Sequence, residues 1–210
     1  MVLFSNFYTR PLTQIDSGIY RALRERILKT PDARFFSDSY EREAQLTEEE
    51  WGSWCEETPR HCILGTFDGD DLIGIIMITR QGDEVSPVVE WEAAWLDPKY
   101  RKTGVGKSFY EHARQWTKDH GYKYVVGFIR ATYTPALDIC NDLGFVYLYT
   151  IPDEVWADGS VASTHAFILD LRVDVPDDKN ELISVRFQEA LPFLDQGLHA
   201  PPKCSGSKVA

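Results

Sequence analysis

A glycine-containing loop is the first segment whose residue types suggest chemistry. Its sequence, Arg101-Lys102-Thr103-Gly104-Val105-Gly106, lies between a predicted strand that ends at Asp97-Pro98 and a predicted helix that starts near Val105. The first four N–H groups of a helix have no partner within the helix and lie at its positive end, and glycines let an anion approach them. The loop is therefore predicted to hold a phosphate group.

Two nucleotide-binding motifs that resemble this loop are each excluded by one position. Gly106-Lys107-Ser108 imitates the end of a P-loop, but that motif needs glycine at position 101, where the chain has Arg101. A G-x-G-x-x-G fingerprint would need glycine at position 109, where the chain has Phe109. The alternative that stays open is a helix N-terminus with two capping glycines and no ligand.

Two carboxylates precede the loop on the strand that is predicted over Val88 to Leu96. Glu90 and Glu92 are two residues apart, so their side chains point to one face of that strand. A carboxylate beside a reacting group can act as a general base. The alternative is that either one is a solvated strand residue or pairs with an arginine.

Hydrophobic periodicity predicts the elements that must position these residues. Short apolar or alternating runs predict strands over 2–8, 61–67, 72–78, 88–96, 124–129, 145–151 and 164–171, of which the second and third form a hairpin across Asp68-Gly69-Asp70. Helical spacing predicts helices over 13–29, from Thr47 onward, over 105–120 and over 134–144. Phe35, Phe36 and Tyr40 lie between the first two helices, where they either line a pocket or pack in the core.

Composition and charge restrict the partners and the compartment. The 210 residues carry a formal net charge of −11, which disfavours nucleic acids and anionic membranes as partners and favours a cationic or neutral one. The N-terminal sequence has no charged region followed by a long apolar stretch, and no run of about 18 apolar residues occurs, so we expect no signal peptide and no membrane span. The four cysteines form no C-x-x-C pair and have no zinc spacing, so we predict reduced thiols, no metal and a cytoplasmic location.

The chain is predicted to form one domain over residues 1–174, followed by a C-terminal extension over 175–210. Leu182, Phe187 and Leu191 indicate one more helix in this extension. That helix could dock on the domain, dock on a second subunit of a homodimer, or stay solvated. The end of the chain, from Ala200-Pro201-Pro202 onward, is expected to be disordered.

Two segments resemble the GNAT superfamily of acyl-CoA N-acyltransferases. Residues 94–108, Ala-Trp-Leu-Asp-Pro-Lys-Tyr-Arg-Lys-Thr-Gly-Val-Gly-Lys-Ser, are similar to its acyl-CoA signature, a strand followed by Val-Asp-Pro-x-Tyr-Arg-Gly-x-Gly-x-Gly. Residues 134–145 are similar to a second block, Asn-x-x-Ala-x-x-x-Tyr-x-x-x-Gly-Phe. The resemblance implies an α/β fold: a mixed, twisted sheet of six to seven strands flanked by helices and splayed between the fourth and fifth strands.

The resemblance also implies an activity, which is transfer of an acetyl group from acetyl-CoA to a primary amine by direct attack in a ternary complex. The acceptor would be a small-molecule or peptide amine, and the acidic balance favours a cationic one. In such enzymes the pyrophosphate lies on the loop amides and the pantetheine arm pairs with the end of the fourth strand, beyond a bulge. The cofactor-binding residues would then be Ala94, Trp95, Leu96, Arg101, Lys102, Thr103, Gly104, Val105, Gly106, Lys107, Ser108 and Tyr133.

The catalytic residues that the resemblance implies are less uniform. The thioester carbonyl would lie near the N–H of Leu96. Several family members carry their base six residues earlier, at the position of Glu90, and Glu92 competes because it is nearer the bulge. Both stay candidates.

The chain departs from the family pattern at the position of the general acid and at one cofactor-contacting position. It has Cys140 in place of the usual general-acid tyrosine and Tyr133 in place of an asparagine that commonly touches the cofactor. A thiol with a pKa of about 8.5 could donate a proton, but a buried cysteine is more often a packing residue. Tyr133, Tyr147 and Tyr149 are replacement candidates, with Tyr147 predicted as catalytic. The departure keeps a second function open, a non-catalytic acyl-CoA-binding or interaction module with a GNAT fold, and an acyl group other than acetyl also stays open.

Overall fold

Seven strands form one mixed sheet in the computed structural model, which describes residues 7–36, 38–173 and 186–194. The strands are β1 (Phe7–Pro11), β2 (His61–Asp68), β3 (Asp71–Arg80), β4 (Val88–Leu96), β5 (Tyr124–Arg130), β6 (Val146–Val155) and β7 (Val161–Asp170). Their order across the sheet is β1-β2-β3-β4-β5-β7-β6, and all neighbours are antiparallel except the parallel pair β4 and β5. The predicted mixed sheet and the predicted β2–β3 hairpin are confirmed. Of the predicted first strand, Phe7 and Tyr8 lie in β1, and residues 2–6 lie outside the described ranges.

Helices cover both faces of the sheet. They are α1 (Ser17–Leu28), α2 (Tyr40–Glu43), α3 (Glu48–Trp54), α4 (Val105–Asp119), α5 (Thr134–Leu143) and α6 (Leu191–Leu194). Residues of α1 and α3 share one apolar cluster with β2, β3 and β4, whereas α4 contributes to a cluster on the opposite face. Within the described ranges, no helix has the length and apolar character needed to cross a bilayer.

The β4 and β5 strands separate halfway along their length. They pair only from Val88 to Glu90 on β4 and from Tyr124 to Val126 on β5. Beyond that point Ala93 has a φ of +50°, and the register with β3 shifts between Ile75 and Met77. An extra residue of this kind is a β-bulge, which bends its strand away from a neighbour. The opening predicted between the fourth and fifth strands is therefore present.

The C-terminal segment 186–194 packs on the same face as α1. Phe187, Ala190 and Leu194 are buried against apolar side chains of β4, β5 and β7. The Glu189 carboxylate lies 3.1 Å from Lys123 Nζ and 3.3 Å from an Arg172 nitrogen. Of the residues predicted to form a helix, Leu191 starts α6 and is 38% exposed, whereas Leu182 lies outside the described ranges.

Phe187→Ala should lower the free energy of unfolding by about 3–5 kcal/mol, because removing a fully buried phenylalanine leaves a cavity. Phe193→Ala is the matched control, since Phe193 is only partly buried, and it should cost clearly less. Urea denaturation of the full chain measures both. A loss below about 1 kcal/mol for Phe187→Ala would show that this segment does not belong to the core.

Candidate active site

The glycine-containing loop folds onto the N-terminus of α4. Gly104 is the residue before the helix and has a φ of +95°, a left-handed conformation that favours glycine. A Cβ added at Gly104 would meet no described atom within 4 Å, and one added at Gly106 would meet only Leu96 Cδ2, at 3.7 Å. The space above the first helical amides is therefore open and fits a phosphate group.

Side chains of the loop fix its shape. Arg101 Nε donates to the Leu96 carbonyl at 2.8 Å, and the Thr103 hydroxyl donates to the Tyr100 carbonyl at 2.6 Å. Lys102 has a φ of +63°, which costs a non-glycine residue roughly 1–2 kcal/mol. It occupies the place of the first glycine in the family signature, so this chain adopts the turn without glycine there.

The backbone of Leu96 faces the opening between β4 and β5. The N–H of Asp97 donates to the Ile73 carbonyl at 2.8 Å. Backbone groups of an antiparallel strand alternate in direction, so the N–H of Leu96 points away from β3 and those of Trp95 and Asp97 point toward it. An N–H that faces the opening can stabilise negative charge that develops on an oxygen.

Glu90 and Glu92 share the sheet face covered by α1 and α3, as their spacing predicts. Gln81 Nε2 donates to Glu90 Oε2 at 2.8 Å, and the Thr79 hydroxyl donates to Glu92 Oε1 at 2.8 Å. Glu90 is the last β4 residue that pairs with β5, and Glu92 adjoins the bulge at Ala93. Both carboxyl groups therefore lie where the two strands begin to separate.

Burial affects the two carboxyl groups unequally. Burial raises the pKa of Glu90 well above its usual range, and the neighbouring Glu92 raises it further. Burial also raises the pKa of Glu92, but the hydrogen bond from Thr79 and the charge of Arg24 oppose that shift, while Asp38 adds to it. The surroundings therefore favour the ionised form of Glu92 over that of Glu90, which makes Glu92 the better proton acceptor of the two.

A short 3-10 turn, Pro31–Phe35, lies across the open end between β4 and β5, and we call it the strap. On the β4 side, Asp32 Oδ2 accepts from Trp95 Nε1 at 3.0 Å and from an Arg101 nitrogen at 2.8 Å. The Asp32 carboxylate thus connects the strap to β4 and to the glycine-containing loop.

On the β5 side, the strap has two further attachments. Arg130 Nη1 donates to the Arg34 carbonyl at 2.7 Å, and the Phe35 ring stacks on Tyr133 with centroids 3.7 Å apart. Phe36 is buried in the core beside α1. The sequence left open whether these aromatic residues line a pocket or pack in the core. Phe36 packs in the core, whereas Phe35 lies at the opening.

The candidates for the general acid are either buried or far from Glu90 and Glu92. Cys140 is buried, and burial raises the pKa of its thiol to about 12. Tyr147 is 47% exposed on β6, and its hydroxyl lies 2.8 Å from Thr150 Oγ1. Three strand spacings separate β6 from β4, or about 14 Å, so the structure does not bring Tyr147 to the carboxylate pair.

The profile of the acetyltransferase (GNAT) family matches residues 25–145, more than half of the chain. The chain belongs to this family. The resemblance noted in the sequence is confirmed. GNAT acetyltransferases use acetyl-CoA, so the predicted co-substrate is confirmed as well.

Solved GNAT structures share the fold of this GNAT chain at low sequence identity. A GNAT acetyltransferase from Streptococcus pneumoniae is 18% identical with a TM-score of 0.69, covering 79% of this chain and 99% of its own. The ribosomal-protein-S18-alanine N-acetyltransferase from Escherichia coli is 14% identical with a TM-score of 0.58, covering 84% and 99%. A Salmonella typhimurium protein described as an acetyltransferase, solved with its cofactor acetyl-CoA, is 14% identical with a TM-score of 0.64, covering 84% and 96%. No curated protein sequence matches the chain.

Four residues at this GNAT site escaped the sequence analysis. Thr79 and Gln81 hydrogen-bond the carboxylate pair, Asp32 attaches the strap, and Tyr110 of α4 is partly buried with its ring 6.2 Å from that of Trp91. Burial raises the pKa of Tyr110, and nearby Cys140 and Tyr133 add to the shift. The only signal for Thr79, on β3, and Gln81, one residue beyond its end, is their spacing of two, which indicates a shared face but not the partner strand.

Proposed function

We propose that this protein is an N-acetyltransferase that moves the acetyl group of acetyl-CoA to a primary amine by direct attack in a ternary complex. The observation that carries the proposal is one strand, β4, that presents a proton-accepting carboxylate and an outward N–H on either side of its bulge. These are Glu92 and the backbone N–H of Leu96, which lie on either side of the bulged residue Ala93. An acyl transfer to an amine needs one group of each kind.

The open loop fits the phosphates of the co-substrate. In this proposal the loop amides between Arg101 and Lys107 hold the pyrophosphate, and the outward backbone of Ala94 and Leu96 binds the pantetheine arm. Bound acetyl-CoA supplies an activated acetyl thioester at the opening. Trp95 contributes through its side chain, because its indole N–H holds Asp32 of the strap.

The proton movements can be assigned to residues of the chain. A cationic amine enters as an ammonium ion, and Glu92 takes one of its protons so that the nitrogen lone pair can attack. The N–H of Leu96 stabilises the charge on the carbonyl oxygen as the C–N bond forms and the C–S bond breaks. The departing thiolate takes up the second proton, which leaves an amide and free coenzyme A.

The acceptor proposed is a cationic small-molecule or peptide amine. The chain has a net charge of −11, and the carboxylates Glu92 and Asp38 influence each other electrostatically at the site. An ammonium group offsets such charge, whereas an acidic acceptor would be repelled. The E. coli protein of similar fold acts on a protein alanine, so peptides with a free N-terminus belong among the acceptors tested.

Thiol release from acetyl-CoA tests the proposal directly. The protein is incubated with acetyl-CoA and a panel of polyamines, amino-sugar amines and peptides with a free N-terminus or a lysine, and products are identified by a gain of one acetyl mass. Thiol release that depends on one of these amines supports the proposal. Acetyl-CoA binding without thiol release for any amine would instead favour the non-catalytic module.

The cysteines support a reducing location for this activity. Cys55, Cys62 and Cys140 are free and buried, and burial raises the pKa of all three thiols. Free buried thiols are typical of proteins in the reducing cytoplasm, where we propose that the enzyme acts. Their environment also identifies them as packing residues.

Cys140→Ala should lower kcat less than about tenfold, because a buried thiol with a pKa of about 12 is poorly matched to proton donation at neutral pH. Tyr110→Phe and Tyr147→Phe, measured in parallel with saturating amine, are the comparison variants. A loss beyond a hundredfold in folded Cys140→Ala that still binds acetyl-CoA would identify the thiol as the acid.

A further inference from the structure

A line of hydrogen-bonding groups runs from Glu92 across three strands. The Thr79 hydroxyl lies 2.8 Å from Glu92 Oε1 and 3.4 Å from His61 Nδ1. On its other side, His61 Nε2 lies 2.9 Å from the carbonyl oxygen of Trp54. His61 and Thr79 are directly paired in the β2–β3 ladder, so the register of the sheet fixes this arrangement. His61 is only partly buried, at the start of β2.

Two placements of the hydrogen atoms give each contact along this line one donor and one acceptor. The Trp54 carbonyl can only accept, so Nε2 of His61 carries a hydrogen in both. In the first state Glu92 is protonated and donates to Thr79, whose hydroxyl donates to Nδ1 of a neutral His61. In the second state His61 is an imidazolium that donates to Thr79, whose hydroxyl donates to the Glu92 carboxylate. The two states differ by one proton moved from Glu92 to His61.

We propose that Glu92, Thr79 and His61 form a proton relay that carries the proton of the acceptor amine out of the reaction site. This inference rests on the proposed acetyl transfer. Glu92 takes a proton from the ammonium group; it then passes a proton to the Thr79 oxygen as the Thr79 hydrogen moves to Nδ1 of His61. Glu92 is again a carboxylate, and the imidazolium releases one proton to solvent, so no other reactant is needed.

The surroundings of the line favour sharing of a proton. Asp38 and Arg24 are the charged groups that act on Glu92 besides Glu90, whereas the two ring nitrogens of His61 face neutral groups, the Trp54 carbonyl and the Thr79 hydroxyl. Burial lowers the pKa of His61, with the Trp54 carbonyl opposing it, and burial raises that of Glu92. The two pKa values therefore approach each other, which lowers the cost of moving the proton.

Three variants of the full chain test the relay. Thr79→Val removes the hydroxyl at nearly constant shape, and His61→Gln keeps hydrogen-bonding groups but cannot carry a proton. Each should lower kcat by about 10–100-fold, somewhat less than loss of the base itself because water can still take the proton slowly. Thr79→Ser keeps the hydroxyl and should restore kcat to within a few fold. His120→Gln, at an exposed histidine of the region after α4, is the matched control and should not change kcat.

Three further readouts separate a relay from a structural role. The Kd for acetyl-CoA and the KM for the amine should stay constant, and the Thr79→Val, His61→Gln double variant should lose no more than either single variant. The acidic limb of the kcat–pH profile should move to lower pH in His61→Gln. A pair that shares one proton has a higher apparent pKa than either group alone, so Glu92 without His61 titrates lower. A packing defect would lower the plateau of the profile without moving its limb.

Either of two results would overturn the relay. If folded Thr79→Val and His61→Gln both keep the parent kcat and the parent pH profile, the relay is wrong while the proposed acetyl transfer stands. If the parent protein releases no thiol with any amine, the proposed function fails and the relay fails with it. Thermal unfolding of each variant confirms that the comparison is made on folded protein.

Discussion

Gly106→Trp is expected to reduce the affinity for acetyl-CoA by about 10²–10⁴-fold while the protein stays folded. An indole at this position would occupy the open space above the first helical amides, since an added Cβ meets only Leu96 Cδ2 at 3.7 Å. Two amide–phosphate hydrogen bonds would be lost, each contributing about 1.5–3 kcal/mol because one partner is charged. Each 1.4 kcal/mol corresponds to a tenfold change in Kd, which gives the range above. Isothermal titration calorimetry with acetyl-CoA measures the effect.

The chain offers a close control for this substitution. Gly18 is the second residue of α1, as Gly106 is the second residue of α4, and a Cβ added there meets no described atom within 4 Å. Gly18→Trp therefore places the same side chain in the same helical position away from the loop, and its Kd should match that of the parent. Gly106→Ala should also bind nearly normally because a methyl group fits. An unchanged Kd in folded Gly106→Trp would contradict the phosphate site.

Local sequence predicts the loop well because its chemistry is local. Gly104, Gly106 and the strand that ends at Leu96 are adjacent in the chain, so their arrangement follows from a strand, a proline-closed turn and a helix start. The shared face of Glu90 and Glu92 follows in the same way from the period of a strand. These parts of the site need no knowledge of tertiary structure.

The partners of those residues could not be predicted because they depend on register and topology. Thr79 reaches Glu92 only because β3 pairs with β4 in one register, with a bulge opposite Ile75 to Met77. Tyr147 lies far from the pair because β7 inserts between β5 and β6. The contact between Asp32 and Trp95 joins residues 63 positions apart, which no periodicity indicates. Non-local pairing, and not local propensity, decides which side chains meet at this site.

Segment 186–194 illustrates a similar distinction. The apolar positions near the C-terminus indicate burial, but a sequence pattern alone does not distinguish the parent domain from a second subunit as the surface that covers them. In the structure Phe187 meets Tyr124 at a centroid distance of 5.9 Å, and Glu189 meets Lys123. The segment thus completes the core beneath β4 and β5. These two strands pair as far as Glu90 and separate beyond it.

Glu92→Gln is expected to lower kcat by about 10²–10⁴-fold, the range found when a positioned general base is lost. Glu90→Gln is expected to cost less than about tenfold, because burial and the charge of Glu92 favour the protonated form of Glu90, which glutamine resembles. The asymmetry comes from the surroundings of the two carboxyl groups. Burial raises the pKa of both carboxyl groups, but the Thr79 hydrogen bond and Arg24 oppose the rise at Glu92, whereas the charge of Glu92 adds to the rise at Glu90.

Steady-state rates of thiol release at saturating acetyl-CoA and amine measure the two variants. The Kd for acetyl-CoA should stay near the parent value in both, because neither carboxylate belongs to the loop. Glu48→Gln, at an exposed glutamate of α3, is the matched control and should leave kcat unchanged. If Glu90→Gln causes the larger loss, Glu90 is the ionised member of the pair and is the general base, at the position where several family members carry it. Equal large losses would mean that the two carboxyl groups share the proton during the reaction, because removing either one would then disable the pair.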